Sequence, residues 1–178
     1  STDKTLINAK KTKENIFNNS AELEIISSGV RPKDRNWVGK NWPCFIGSKQ
    51  INSEWILFID ADVIVGKNCI YNSLFKASSE NIDLLSLAPK VNCNCLAEWM
   101  VQPIMTSLLT IGFPISDTND NRNNAAFAAG PFMLFKKDSY ELIGGHEGTC
   151  EEVVEDIALA KKIKNSNLKL NFLIAIKD

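Results

Sequence analysis

The sequence predicts an α/β domain in which a mainly parallel sheet is sandwiched by helices. Three observations carry this expectation. A continuous apolar run, Trp55-Ile56-Leu57-Phe58-Ile59, stops abruptly at Asp60-Ala61-Asp62, as a buried strand of a parallel sheet does. Stretches of helical period lie between this and the other strand-like runs. No internal repeat and no Pro- or Gly-rich linker divides the 178 residues, so a single domain over 1–178 is expected.

Each element has its own signal. Ser1 or Thr2 can cap a first helix running to about Asn18, and Leu23 to Ser27 reads as a strand. After the turn-rich Gly29 to Asn36, a helix is expected over about Gly39 to Ile51, with Pro43 tolerable only near its first turn. Trp55 to Ile59 then reads as a central strand buried on both faces. A helix at about Asn68 to Ser78, a strand at Asp83 to Leu87 and a long apolar helix at about Ala97 to Phe113 follow. Ser116 to Asn124 is polar and reads as a loop, either a mobile lid or, in a chain Asn-rich throughout, a segment with no special role. Ala126 to Phe135 reads as extended through Gly130, and Lys137 to Ile143 as a short helix ended by Gly144-Gly145. Glu152 to Lys164 has helical amphipathic spacing, and Leu168 to Ile174 closes the chain with a strand.

Composition narrows the function. Lys and Arg number 20 against 21 Asp and Glu, for a formal charge of −1, and only Arg31, Arg35 and Arg122 are arginines. A nucleic-acid partner is therefore not expected, because phosphate and base recognition leans on cationic patches rich in Arg. With 44% hydrophobic and 23% charged residues, disorder is excluded. The odd set Cys44, Cys69, Cys93, Cys95 and Cys150 reads as free thiols in the core of a protein from a reducing compartment. Cys93 and Cys95 lack the second Cys pair or nearby His that a structural zinc site needs. Ser1 to Lys13 is polar with four lysines and does not read as a signal peptide. Leu96 to Ile115 is the most apolar stretch, but Glu98, Gln102 and two prolines argue against a membrane span. Core packing and a membrane-interface helix admitting a lipid, with Trp99 among its contacts, are both open readings.

Two acidic constellations carry the chemistry. In α/β sheets ligands gather beyond the carboxyl ends of strands, where Asp60 and Asp62 emerge. If the backbone stays extended, residues two apart face the same side, and two like charges so close favour a cation between them. Hard carboxylate ligands suit Mg²⁺ or Mn²⁺ completed by water and substrate phosphates. Helix capping and a solvated turn explain a lone Asp-x-Asp equally. No Gly-x-x-x-x-Gly-Lys-Ser/Thr loop accompanies it, which disfavours an ATPase. The second constellation is Glu151-Glu152-Val153-Val154-Glu155-Asp156. At about 100° per residue, Val153, Ile157, Ala160 and Ile163 form one stripe containing Asp156, while Glu155 points away. An acid on an apolar face that is partly buried has a raised pKa and can accept a proton from a substrate hydroxyl, and an acid favourably placed near the dipole at a helix start is the plain alternative.

Taken in order, several motifs resemble glycosyltransferase family 2, whose catalytic domain has the GT-A fold. They are Ser1-Thr2-Asp3-Lys4-Thr5, Trp37-Val38-Gly39-Lys40-Asn41, Leu57-Phe58-Ile59-Asp60-Ala61-Asp62, Ala129-Gly130-Pro131-Phe132-Met133-Leu134, Ile143-Gly144-Gly145-His146-Glu147 and Val154-Glu155-Asp156-Ile157-Ala158-Leu159-Ala160. The likeness is greatest to bacterial members that glycosylate lipids, carotenoids or hopanoids, and to ceramide glucosyltransferases.

The resemblance implies a metal-dependent inverting transferase that moves a sugar from a nucleotide-diphosphate sugar, such as a UDP-sugar, to an acceptor hydroxyl, including that of a lipid. It implies Asp60 and Asp62 as holders of Mg²⁺ or Mn²⁺ and of the donor diphosphate, and Asp156 as catalytic base. Lys40 and Gly130 would lie against the nucleotide sugar, and His146, Glu155 and Trp99 near the acceptor. It also implies a chain truncated at both ends, lacking the family's first strand and the downstream Gln-x-x-Arg-Trp motif, from a longer protein on the cytoplasmic side of a membrane. A sugar-phosphate nucleotidyltransferase is a weaker reading, since no Gly- and Arg-rich nucleotide loop is visible. A non-catalytic sugar-nucleotide-binding domain is the alternative from another class.

Overall fold

The computed structural model describes residues 4–15 and 22–175. Expected features at Ser1 to Asp3 and between Ile16 and Ala21 lie outside those residues. The elements are α1 (Thr5–Asn15), α2 (Asn41–Ser48), β1 (Trp55–Ile59), α3 (Cys69–Ser79), β2 (Leu84–Ala88), α4 (Leu96–Gly112), α5 (Ile115–Asn119), β3 (Phe132–Lys136), α6 (Lys137–Leu142), α7 (Glu155–Asn165) and β4 (Leu170–Ile174).

The four strands form one sheet in the order β1-β3-β2-β4. β2 and β4 pair in parallel, and β3 runs antiparallel to both β1 and β2. Three strands thus point one way and β3 is inserted against them, so the α/β class holds with a mixed sheet. β1 lies at an edge of this sheet rather than at its centre, and Ile59 is 38% exposed. β2 and β3 are the strands buried along their lengths. An uninterrupted apolar run does not separate the two positions, because β1 is apolar along its whole length yet only Ile56 in it is buried.

Alternation along β3 divides the core. Met133 and Phe135 join Ile56, Leu84, Tyr140, Leu159, Ile163 and Leu170 on the face covered by α6 and α7. Phe132 and Leu134 join Ala77, Ile82, Leu85 and Leu87 on the face covered by α3. Full burial of one such side chain stabilises by about 1.5–3 kcal/mol.

Several boundaries differ from expectation for local reasons. Residues 22–29 are irregular, with Leu23 and Ile26 exposed and no strand alongside them among the described residues. α2 starts at Asn41, not Gly39, because Gly39 has φ +56°, outside the right-handed helical region. α7 starts at Glu155, so Val153 precedes it and is exposed, leaving Ile157, Ala160 and Ile163 on the inner stripe with Leu159. The expected loop after Ile115 contains α5, whose Asn119 is pinned to β4. Its side chain donates to the Phe172 carbonyl at 2.9 Å and accepts from the Phe172 N–H at 2.6 Å. The five cysteines are free, but only Cys150 is buried and Cys95 is exposed.

A polar knot closes the core beneath the carboxyl end of β1. His146 is 2% exposed, its ring 4.6 Å from that of Phe58 between centroids. The His146 N–H donates to the Tyr140 hydroxyl at 3.0 Å, and that hydroxyl lies 2.7 Å from Nδ1. Gly145 makes room for this arrangement. It has φ +48°, and a Cβ there would meet the Tyr140 ring at 2.5 Å. Burial, then the nearby Lys40 charge, pushes the His146 pKa from 6.5 down to about 4. The imidazole is therefore neutral at pH 7, its Nδ1 sharing a hydrogen bond with the Tyr140 hydroxyl.

The sign of the pH dependence follows. Between pH 6.5 and about 4 the unfolded chain binds a proton that the native histidine refuses, so native stability falls as pH falls through that window. At about 1.4 kcal/mol per pH unit, the full loss is about 3 kcal/mol. Urea unfolding across this range should show that loss in the wild type and a flatter profile in His146→Gln. Equal slopes in the two proteins would refute the buried neutral state.

Candidate functional site

The β1–β3 register pairs Ile59 with Phe132. The next residue, Asp60, therefore falls beside Gly130-Pro131, and its N–H donates to the Pro131 carbonyl at 3.2 Å. The Lys40 side chain, from the residue capping α2, reaches the same place. Its ammonium lies 2.5 Å from the Asp60 carboxylate and 3.2 Å from that of Glu155. Asp156, the second residue of α7, accepts from the Gly130 N–H at 2.9 Å through Oδ2 and from the Ile157 N–H at 2.8 Å through Oδ1. Gly130 is a close approach as well as a turn. A Cβ there would sit 3.2 Å from Asp156 Oδ2 and 3.4 Å from Lys40 Nζ. Lys40, Asp60, Gly130, Glu155 and Asp156 thus share one locus.

Asn41, which was not among the expected site residues, fixes two of these segments to each other. It is fully buried, and its amide donates to the carbonyls of Thr149, Cys150 and Glu152 at 3.0, 3.3 and 3.1 Å. The start of α2, carrying Lys40, is thereby tied to the loop that delivers Glu155 and Asp156. The only sequence signal was its place in Trp37-Val38-Gly39-Lys40-Asn41, because an Asn at a helix start reads first as a cap.

Electrostatics follow from this packing. Burial raises the Asp156 pKa and the Glu155 charge raises it further, against the two backbone hydrogen bonds and the Lys40 charge, for a net rise above 3.8. Burial opposes charge on Lys40, but its bonds to Asp60 and Glu155 outweigh that, so the ammonium is held above its ordinary value. The neighbouring Cys44 thiol is pushed up to about 11 by burial and is inert as a nucleophile.

The structure separates the other candidates. Glu155 does not point away; its side chain is 12% exposed and faces Lys40, because the helix begins at Glu155 and puts it in the turn against the site. The backbone turns after β1, with the Val63 N–H donating to the Asp60 carbonyl at 3.2 Å. The extended alternation expected to pair Asp60 with Asp62 is therefore absent. Asp62 is exposed and lines a separate cavity of about 1160 Å³ together with Pro131. His146 lies in the core beneath the site, not on an open cleft. Trp99 stands on α4 and is 66% exposed.

Among the described residues, no group of three or more His, Cys, Asp or Glu side chains surrounds one point. A magnesium-type ion needs only one or two protein carboxylates when substrate phosphates and water complete its shell. Asp60 supplies one such carboxylate at the locus, while the turn after β1 leaves Asp62 exposed two residues on. Asp156 is oriented by two backbone N–H groups, and burial, which outweighs them, raises its affinity for a proton.

Residues 1–144 match the model of Glycosyl transferase family 2, a segment that contains Lys40, Asp60, Asp62 and Gly130 and stops before Glu155. The chain is 24% identical over 135 residues to the 4,4'-diaponeurosporenoate glycosyltransferase of Staphylococcus haemolyticus (strain JCSC1435), covering 74% of this chain and 36% of that protein. It is 26% identical over 142 residues to the protein of the same name in Staphylococcus aureus (strain USA300), covering 78% and 37%. The chain therefore spans little more than a third of the length of these relatives. With four-fifths of its residues matched by the family model, this chain belongs to glycosyl transferase family 2.

Proposed function

We propose that the intact protein is a metal-dependent inverting glycosyltransferase that moves a sugar from a UDP-sugar to a hydroxyl of a lipid acceptor. The observation that carries this reading is the convergence of Lys40, Asp60, Gly130, Glu155 and Asp156 at the carboxyl end of β1 in a family 2 chain. The 4,4'-diaponeurosporenoate in the relatives' names supports an apolar acceptor here.

Asp156 is the base. Its burial makes the carboxylate a better proton acceptor, and the Gly130 N–H aims Oδ2 while leaving a lone pair for the acceptor hydroxyl. As Asp156 takes that proton, the acceptor oxygen attacks the anomeric carbon opposite the diphosphate, so configuration inverts in one displacement. Lys40 is poised to exchange its carboxylate partners for diphosphate oxygens. Gly130 lets the sugar approach the backbone, where a side chain would press on Asp156. Mg²⁺ or Mn²⁺ held by Asp60 and Asp62 would supply charge stabilisation for the leaving diphosphate.

α4 suits a membrane surface. Leu96, Met100, Ile104, Leu108 and Ile111 recur at helical spacing and are all at least 59% exposed, and no residue from Trp99 to Gly112 is charged. Among the described residues no helix is long and apolar enough to cross a membrane. The reading places this stripe on a bilayer, at its cytoplasmic face, in keeping with five free thiols.

Two experiments follow. In the intact protein, Asp156→Asn should lower transfer by about 10²–10⁴-fold with donor binding almost unchanged. Wild-type turnover should fall as pH drops through a midpoint above the ordinary carboxylate value, because the base works only when ionised. Retained turnover in Asp156→Asn would remove the assignment. For the membrane, Met100→Asp/Ile104→Asp should reduce co-sedimentation with phosphatidylcholine–phosphatidylglycerol liposomes by about tenfold or more, given the apolar burial lost. Unchanged sedimentation would count against membrane contact through α4.

A further inference from the structure

The turn that carries Lys40 is held by a side chain from outside it. Every backbone carbonyl from Trp37 to Lys40 accepts a hydrogen bond. The Val38 carbonyl accepts from the Asn41 N–H at 3.3 Å and the Lys40 carbonyl from the Cys44 N–H at 3.1 Å, local bonds that lead into α2. The alternate pair, Trp37 and Gly39, is taken by one guanidinium. Arg31 donates to the Trp37 carbonyl at 3.3 Å through Nη1 and to the Gly39 carbonyl through Nη2. The planar fork of arginine presents two donors at a fixed separation, which suits two carbonyls on one side of a turn.

Gly39 is the point at which this turn needs fixing. Its φ of +56° lies in the left-handed region, and a Cβ there would meet nothing within 4 Å, so packing does not hold it. Four positions on, Pro43 has no N–H to give the Gly39 carbonyl. The flanking residues are secured in other ways. Trp37 is buried against Trp42 and Phe45, with ring centroids 4.9 and 5.3 Å away, and the Val38 N–H donates to the Cys150 carbonyl at 2.8 Å. Asn41 is locked by its side-chain amide. The Arg31 clamp therefore bears on the two residues between, Gly39 and Lys40. A lysine stem is flexible, so its ammonium meets Asp60 and Glu155 dependably only when the backbone beneath it is fixed.

We propose that Arg31 is a positioning residue for Lys40. It locks the Gly39–Lys40 turn and so aims the ammonium at the carboxylate cluster before any anionic substrate arrives. The inference rests on the transfer reading above for what Lys40 binds, and adds what aims it. Arg31 acts through the backbone and not through its own charge.

Calorimetry of UDP with Mg²⁺ on the intact protein tests this, together with amide hydrogen exchange without nucleotide. Arg31 is exposed, so Arg31→Met should keep the wild-type thermal melt. It should speed exchange of the Asn41 amide, whose bond to Val38 spans the turn, and weaken UDP binding about threefold or more. Gly39→Ala, which strains the same turn, should weaken binding likewise. Arg31→Lys, which keeps the charge but not the fork, should resemble Arg31→Met. Adding Arg31→Met to Lys40→Met should weaken binding no further, because the clamp then has nothing to aim. Unchanged Asn41 exchange, full affinity in Arg31→Lys or an additive loss in the double variant would each overturn the proposal. A wild-type protein that binds no UDP overturns the donor reading instead, and the exchange of Asn41 then decides the clamp alone.

Discussion

Two ionised carboxylates in a small volume repel unless a cation lies between them, and the ammonium of Lys40 bridges Asp60 and Glu155. The Lys40 side chain is 41% exposed, so the pairing adds no more than about 1 kcal/mol to stability. Its importance is geometric. It draws together the start of α2, the end of β1 and the first turn of α7, three segments far apart in sequence. A site held by a displaceable cation is also ready for an anionic substrate, because a diphosphate can take over the contacts that the carboxylates make.

The scaffold makes this convergence repeatable. A one-residue slip between β1 and β3 would carry Asp60 away from Pro131 and turn the inward residues of β1 outward. The alternation of Met133 and Phe135 against Phe132 and Leu134, locked into two cores, prevents it. Buried Asn41 does the same for the loop before α7. Precision at the site thus comes from strand register and one buried amide, while the charged groups remain adjustable.

Much of this was legible in the sequence, for physical reasons that differ by residue. Asp60 could be placed because an apolar run ending in acids reports both a strand and its exit. Asp156 could be singled out because an acid within an apolar helical stripe must be partly buried. Glu155 was misplaced because its direction depends on where α7 begins, and Val153 and Val154 continue the helical spacing without joining the helix. The expectation of extended backbone from Asp60 to Asp62 fails because the chain turns there, through one N–H to carbonyl bond that the apolar run before it does not encode. The edge position of β1, the antiparallel β3 and the pinning of Asn119 to β4 depend on which segments meet, which no local pattern encodes. α4 is the clearest conflict between levels. Its composition reads as core, yet none of its residues is buried, and such conflicts tend to mark functional surface.

The central claim is that Asp156 belongs to one electrostatic unit with Lys40 and Gly130, and that burial within it makes the carboxylate basic. The most direct measurement is the titration of the Asp156 carboxyl carbon by NMR in the wild type and in Lys40→Met. The account predicts a midpoint above the ordinary 3.8 in the wild type. It predicts a further rise in Lys40→Met, where a nearby cation is lost and the charges of Asp60 and Glu155 are left uncompensated. An ordinary midpoint that does not respond to loss of Lys40 would contradict it.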